Sequence, residues 1–165
     1  MKPRTLRVAA TQKGRREPSG ARNPVSVLLD TNVLSELLRA QPDAKVMTWV
    51  AAQPADGLFV SAVTQAEMLL GARLLPSGQR RLQLEQALDA MFGEDFAGRV
   101  LPFDAGAATA YAAVVAARRR AGAPISQFDA QIAAIALRHR LGMATRNVAD
   151  FEGCGLSVIN PWDKS

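Results

Sequence analysis

The chain has 165 residues, 48% hydrophobic and 21% charged, which is the balance of a soluble globular protein with room for one sizeable core. Its single cysteine, Cys154, excludes an internal disulfide and a cysteine-rich zinc site, and the simplest expectation is a reducing, cytoplasmic location. The net charge of +5 is unevenly spread: residues 1–24 carry seven Lys and Arg against Glu17 alone, leaving thirteen basic and fourteen acidic groups elsewhere, which argues against a uniformly basic nucleic-acid surface.

Residues 1–24 lack apolar periodicity and are rich in Arg, Gly, Pro and Ser. They read as a disordered basic tail, either dispensable or a weak phosphate-binding arm, and they offer no apolar block for a secretory signal. Val25 is a candidate alternative start of the native chain. The folded domain is expected over residues 25–165. Val25–Leu29 is a short apolar run typical of a strand buried on both faces, and Asp30 ends it. Thr31–Arg39 has helical spacing through Val33, Leu34, Leu37 and Leu38. Pro42 and Asp43 open a second helix through Met47, Trp49 and Val50. Leu58–Ser61 reads as another buried strand. Thr64 is expected to cap a helix reaching about Leu74, with Glu67 in the capping-box position.

Pro76–Gly78 breaks the chain before an amphipathic segment at Gln79–Phe92, and Arg99–Leu101 is a short strand candidate. Asp104 can cap a long Ala-rich helix that ends with Arg118, Arg119 and Arg120 before Gly122. Within it, the charge-free stretch Ala105–Ala117 is too short to cross a bilayer. Ser126–Arg140 is a further helix, and Met143–Thr145 and Leu156–Ile159 are the last strands. Strands alternating with helices imply a three-layer α/β/α sandwich around a mainly parallel sheet.

No phosphate-binding glycine loop, dinucleotide fingerprint or nucleophile elbow is present. His139, the only histidine, lies between Arg138 and Arg140 and reads as a surface or capping residue; Cys154 has no base nearby. The remaining chemistry is acidic. Asp30 stands at the carboxyl end of the first strand, where open parallel sheets bind ligands, although an N-cap role would also explain it. Glu67 and Asp129 lie early in helices with apolar neighbours, and each could instead serve its own helix start. Asp150 follows Thr145-Arg146-Asn147 just after a strand. In a parallel sheet all four positions share one edge. Four carboxylates there repel, and a cation between them would relieve the repulsion. Oxygen ligands without His or Cys select Mg²⁺, with Mn²⁺ as a substitute, and such an ion activates water against a phosphodiester.

These segments, taken in order, resemble the PIN-domain ribonucleases, specifically the VapC-like toxins of type II toxin–antitoxin pairs. The resemblance is carried by Leu28-Leu29-Asp30-Thr31-Asn32-Val33-Leu34-Ser35-Glu36, by Ser61 to Gly71, and by Asp129-Ala130-Gln131-Ile132-Ala133-Ala134. It continues through Thr145-Arg146-Asn147-Val148-Ala149-Asp150-Phe151 and Ile159-Asn160-Pro161-Trp162, so that it spans about residues 25–163. It implies that Asp30 and Asp129 are direct metal ligands and that Glu67 completes the shell or orients the attacking water. Many relatives have an acid where Asn147 stands, so Asn147 would hold a metal-bound water while Asp150 supplies nearby charge. Thr31, Asn32 and Thr145 would fix the carboxylates.

The resemblance further implies an RNA substrate, with tRNA or rRNA the usual target, a cognate antitoxin whose C-terminal segment covers the acidic groove, and a homodimer. For the antitoxin, Leu34, Leu37, Leu38 and Trp49 are a candidate anchor, with Leu34 and Leu37 equally readable as core. Arg118–Arg120, Arg138, Arg140 and above all Arg146 are candidate phosphate grips. A haloacid-dehalogenase-type phosphatase would need a second acid at position 32, which is Asn. A receiver domain would need an acceptor Asp after the third strand and a late lysine, and neither is visible. The non-enzymatic alternative is a degenerate PIN module that binds RNA or an antitoxin without cleavage.

Overall fold

The computed structural model describes residues 26–163. The expected tail at residues 1–24 and the candidate start at Val25 lie outside the described residues. Five short strands form one sheet: β1 (Val27–Leu29), β2 (Leu58–Ser61), β3 (Val100–Leu101), β4 (Gly142–Ala144) and β5 (Val158–Ile159). Their spatial order is β3-β2-β1-β4-β5, and every neighbouring pair is parallel. The helices are α1 (Thr31–Leu37), α2 (Ala44–Ala51), α3 (Ala62–Arg73), α4 (Gln79–Ala90), α5 (Ala105–Arg120), α6 (Gln127–Arg138) and α7 (Val148–Phe151).

The two-residue period of a strand divides the core between the two faces of the sheet. Val27 and Leu29 point into a cluster with Val33, Leu34, Val46, Trp49, Met68 and Leu88, which belong to α1–α4. Leu28 and Met143 point the other way, against Val114 of α5, Ile132 and Ile135 of α6, and Phe151 of α7. This is the expected α/β/α sandwich. The second layer packs closely because α6 presents Ala130, Ala133, Ala134 and Ala136, all fully buried, so backbone can approach backbone.

Several element boundaries differ from the sequence expectation. The first helix stops at Leu37 rather than Arg39. The cap of α3 is Ser61, whose Oγ accepts from the Thr64 amide at 2.9 Å, so Thr64 lies inside the first turn and Glu67 is released from the capping-box role. The amphipathic segment after Gly78 ends as a regular helix at Ala90 and widens into a π-turn over Met91–Asp95. Asp104 caps α5 as its sequence predicts, and α6 runs from Gln127 to Arg138, with Ser126, expected as its first residue, serving as its N-cap. The single histidine, His139, is exposed at the C-cap of α6.

Candidate active site

Strand order reverses at β1, whose neighbours are β2 on one side and β4 on the other. In open parallel sheets the crevice at this switch point lies beyond the strands' carboxyl ends. Asp30 occupies that place directly after β1, and Thr145 does so after β4. The Asp30 amide donates to the Ala144 carbonyl at 2.9 Å and fixes the two strand ends side by side.

Asp30 is only 6% exposed, and both of its carboxylate oxygens are engaged. Oδ1 accepts from the Thr31 amide at 2.8 Å, which makes Asp30 the N-cap of α1. Oδ2 accepts from the Thr145 hydroxyl at 2.7 Å and from Asn32 Nδ2 at 3.0 Å. The cap reading and the site reading of Asp30 therefore both hold geometrically: one oxygen serves the helix, and the other faces the β4 end. Burial raises the Asp30 pKa, the Thr145 and Thr31 bonds oppose that rise, and the negative charges of Asp129 and Glu67 add to it.

Glu67 comes from α3, one turn beyond the buried Thr64. Its Oε2 accepts from the Thr31 hydroxyl at 2.8 Å. Thr31, Thr64 and Ser61 continue as a chain of hydroxyls, at 3.3 Å and 3.0 Å. Asp129 enters from the first turn of α6, where its Oδ2 accepts from the Ser126 hydroxyl at 2.6 Å. Asn32 links the remaining loop: its Nδ2 donates to Thr145 Oγ1 at 3.2 Å and its Oδ1 accepts from the Arg146 amide at 3.2 Å. The Asn147 amide closes the turn onto Thr145 Oγ1 at 3.0 Å.

One pocket of about 500 Å³ is lined by Asp30, Thr31, Asn32, Glu67, Asp129 and Asn147, and also by Ser35, Glu36 and Arg39. Positions 30, 67 and 129 thus meet on one edge of the sheet. Asp150 does not join them. It is exposed on α7 and does not line the pocket, where Asn147 represents that segment instead. The expectation that the acids crowd together unless a cation separates them also needs correction. Among the described residues, no three acid, His or Cys side chains stand close enough to hold an ion as placed. Glu67 and Asp129 are turned onto separate hydroxyls, which lowers their mutual repulsion. The donor set itself is wholly oxygen and amide, which suits a hard divalent cation, and joint coordination with Asp30 requires Glu67 and Asp129 to move closer together.

The basic residues also fall differently from the sequence reading. Arg146 is exposed and lies over the Trp162 ring, 5.3 Å from its centroid, rather than lining the pocket. Arg118 donates to the Glu152 carbonyl, and Arg138 stands 3.9 Å from Asp104. Leu34, Leu37 and Trp49 are buried and unavailable as a surface anchor for a partner. The exposed apolar side chains on this side are Leu70 of α3, Leu74 at its C-cap and Phe128 of α6, which line a groove adjoining Glu67. Cys154 is buried, and burial pushes its thiol pKa up, consistent with an inert residue.

Comparison with known proteins agrees with this geometry. The PIN domain family model matches residues 27–152. VapC ribonuclease Y4jK of Sinorhizobium fredii is 42% identical over 137 residues, covering 83% of this chain and 98% of that protein. Toxin FitB of Neisseria gonorrhoeae is 40% identical over 136 residues, covering 82% and 98%. Among solved structures, FitAB bound to the IR36 DNA fragment superposes with a TM-score of 0.79 at 38% identity, covering 84% of this chain and 97% of that one. The chain belongs to the PIN-domain family, in its VapC-like group.

Proposed function

We propose that this protein is a metal-dependent endoribonuclease that acts as the toxin of a type II toxin–antitoxin pair. The observation that carries the reading is the meeting of Asp30, Glu67 and Asp129 in one pocket at the switch point of the sheet. Kinship with a VapC ribonuclease and a FitB toxin supports the same activity. Asp30, Glu67 and Asp129 would hold Mg²⁺, or Mn²⁺ in its place, and the bound ion would polarise a phosphodiester and lower the pKa of an attacking water. The chain's own contribution is positional. The Thr145 hydroxyl favours the charged form of Asp30, Thr145 and Asn32 together aim its carboxylate, and the Thr31 hydroxyl holds Glu67 on the same wall. Asn147, on the pocket lining, supplies an amide able to orient a water without adding charge.

The substrate in this reading is RNA, with tRNA or rRNA the target class. Two protein partners belong to it: a second copy of the chain and a cognate antitoxin whose C-terminal segment occludes the acidic pocket. The test is direct. Asp30→Asn and Asp129→Asn should each abolish cleavage of total cellular RNA in Mg²⁺ while leaving the circular-dichroism spectrum unchanged, and EDTA should silence the wild type. Expression should arrest growth, and co-expression of the neighbouring reading frame should relieve the arrest. RNA binding without cleavage by the wild-type chain in Mg²⁺ or Mn²⁺ would mark the degenerate module instead.

A further inference from the structure

The pocket that holds the acids has one feature the nuclease reading does not use. Its lining carries four carboxylates, those of Asp30, Glu36, Glu67 and Asp129, and a single basic side chain among the described residues, Arg39. A polyanion entering this pocket meets repulsion from every wall except that one.

Arg39 is placed there by a built device. Glu36 is buried, with its side chain only 7% exposed, and one of its oxygens, Oε1, accepts from the Asp43 amide at 2.8 Å. The same carboxylate accepts from Arg39 Nη1 at 3.2 Å on Oε2 and 3.4 Å on Oε1. Asp43 is the N-cap of α2, so Glu36 ties the end of α1 to the start of α2 and holds the Arg39 guanidinium at Nη1. The Arg39 side chain itself remains 65% exposed. A surface arginine ordinarily loses much rotamer entropy on gripping a ligand; one already held by a buried carboxylate loses less.

Asp30 and Arg39 lie at opposite ends of α1, a helix of seven residues and therefore about 10 Å long. Arg39 follows the C-cap of that helix and lines the same pocket as Asp30, so it flanks the acids at the far end of α1, where a phosphate next along the strand would pass.

We propose that Arg39, steered by the buried Glu36, grips a backbone phosphate of the RNA flanking the scissile bond, and so sets where the strand lies across the acids. This rests on the nuclease reading and extends it. Arg39 is the contact residue, and Glu36 is a positioning residue that acts through it.

The test is binding of the full chain to a short phosphorothioate-linked RNA of random sequence, which resists hydrolysis, in Mg²⁺ as potassium chloride is raised. Arg39→Ala should weaken binding about tenfold and reduce the slope of log K against log salt by about 0.7, the value for one lost phosphate contact on a single strand. Arg39→Lys should keep the slope and recover part of the affinity. Glu36→Gln removes a repelling charge as well as the ionic hold on Arg39, so it should raise affinity less in the wild-type background than in the Arg39→Ala background. A purely structural role for Arg39 predicts a lower melting temperature with an unchanged slope. An unchanged slope and affinity in folded Arg39→Ala, with the wild type binding normally, would overturn this inference alone. A wild type that neither binds nor cleaves RNA would overturn the nuclease reading with it.

Discussion

Asp30 is a carboxylate forced into a dry place by its neighbours in sequence, since β1 before it is wholly buried and α1 begins directly after it. Its pKa is raised because burial outweighs the hydrogen bonds that favour the charged form. An acid whose folded pKa lies above its unfolded value of 3.8 contributes most to stability below that value and loses the contribution as pH rises through the folded pKa. Ionised Asp30 therefore works against the metal-free fold at neutral pH, and the Thr145 hydroxyl limits that cost. Thr145→Val should destabilise the metal-free protein by about 1.5–3 kcal/mol at pH 7, the value of a hydrogen bond to a charged group. The deficit should shrink as pH falls towards 4, as read by urea denaturation across pH. Asp30 was legible in the sequence because a β-branched run that stops at an acid marks a strand end. Glu36 and Arg39 were not: a Glu and an Arg three positions apart on an amphipathic helix look like an ordinary surface pair, and only the position of Asp43 reveals that the Glu is buried. Asn147 was legible through the family resemblance, and the tight turn onto Thr145 brings it to the pocket; the added charge of Asp150 is conspicuous in sequence, but its side chain does not line the pocket.

At the scale of elements, each helix that feeds the pocket is started by a side chain that also shapes it. Ser126 caps α6 through the Asp129 amide at 3.1 Å and at the same time holds the Asp129 carboxylate. Ser126→Ala should cost about 1 kcal/mol of stability from the lost cap. It should also alter the metal dependence of cleavage, because Asp129 is freed, and a titration of activity against Mg²⁺ separates that effect from the stability loss. Asp104 provides a control outside the pocket. Its carboxylate accepts from the Ala107 amide at 2.8 Å, and this bond, more than the nearby Arg138, holds its pKa below the ordinary value. A depressed folded pKa contributes stability above the unfolded value and loses it as pH falls through the folded one. Asp104→Ala should therefore melt earlier than the wild type at pH 7, with the gap closing in acid and cleavage activity intact. The order and type of the elements were readable from apolar runs and caps. The start of α3 was not, because Ser61 and Thr64 are both competent caps and the choice falls to Ser61 as the last residue of β2.

Across the whole molecule, the fold brings together acids separated by about a hundred positions and leaves them on different hydroxyls. An ion that draws them together binds the native state alone and should stabilise it, by about 2.7 kcal/mol at a hundredfold excess over its dissociation constant. Thermal denaturation with rising Mg²⁺ should show an upward drift in the wild type that is lost in Asp30→Asn and Asp129→Asn; a flat wild-type response would contradict metal binding at these acids. Among the described residues no helix is long and apolar enough to cross a membrane. The central placement of β1 has a temporal meaning as well. Its β2 neighbour ends at Ser61, but the other flank arrives only with Gly142–Ala144. Synthesis at about 5–20 residues per second therefore leaves the nascent polypeptide several seconds in which Asp30 has been made but its Thr145 partner has not. A chain that ends before that point lacks both the β4 flank of β1 and the Thr145 donor to Asp30. Under the proposed nuclease function, the pocket is thus completed only in the last stretch of the chain's own manufacture.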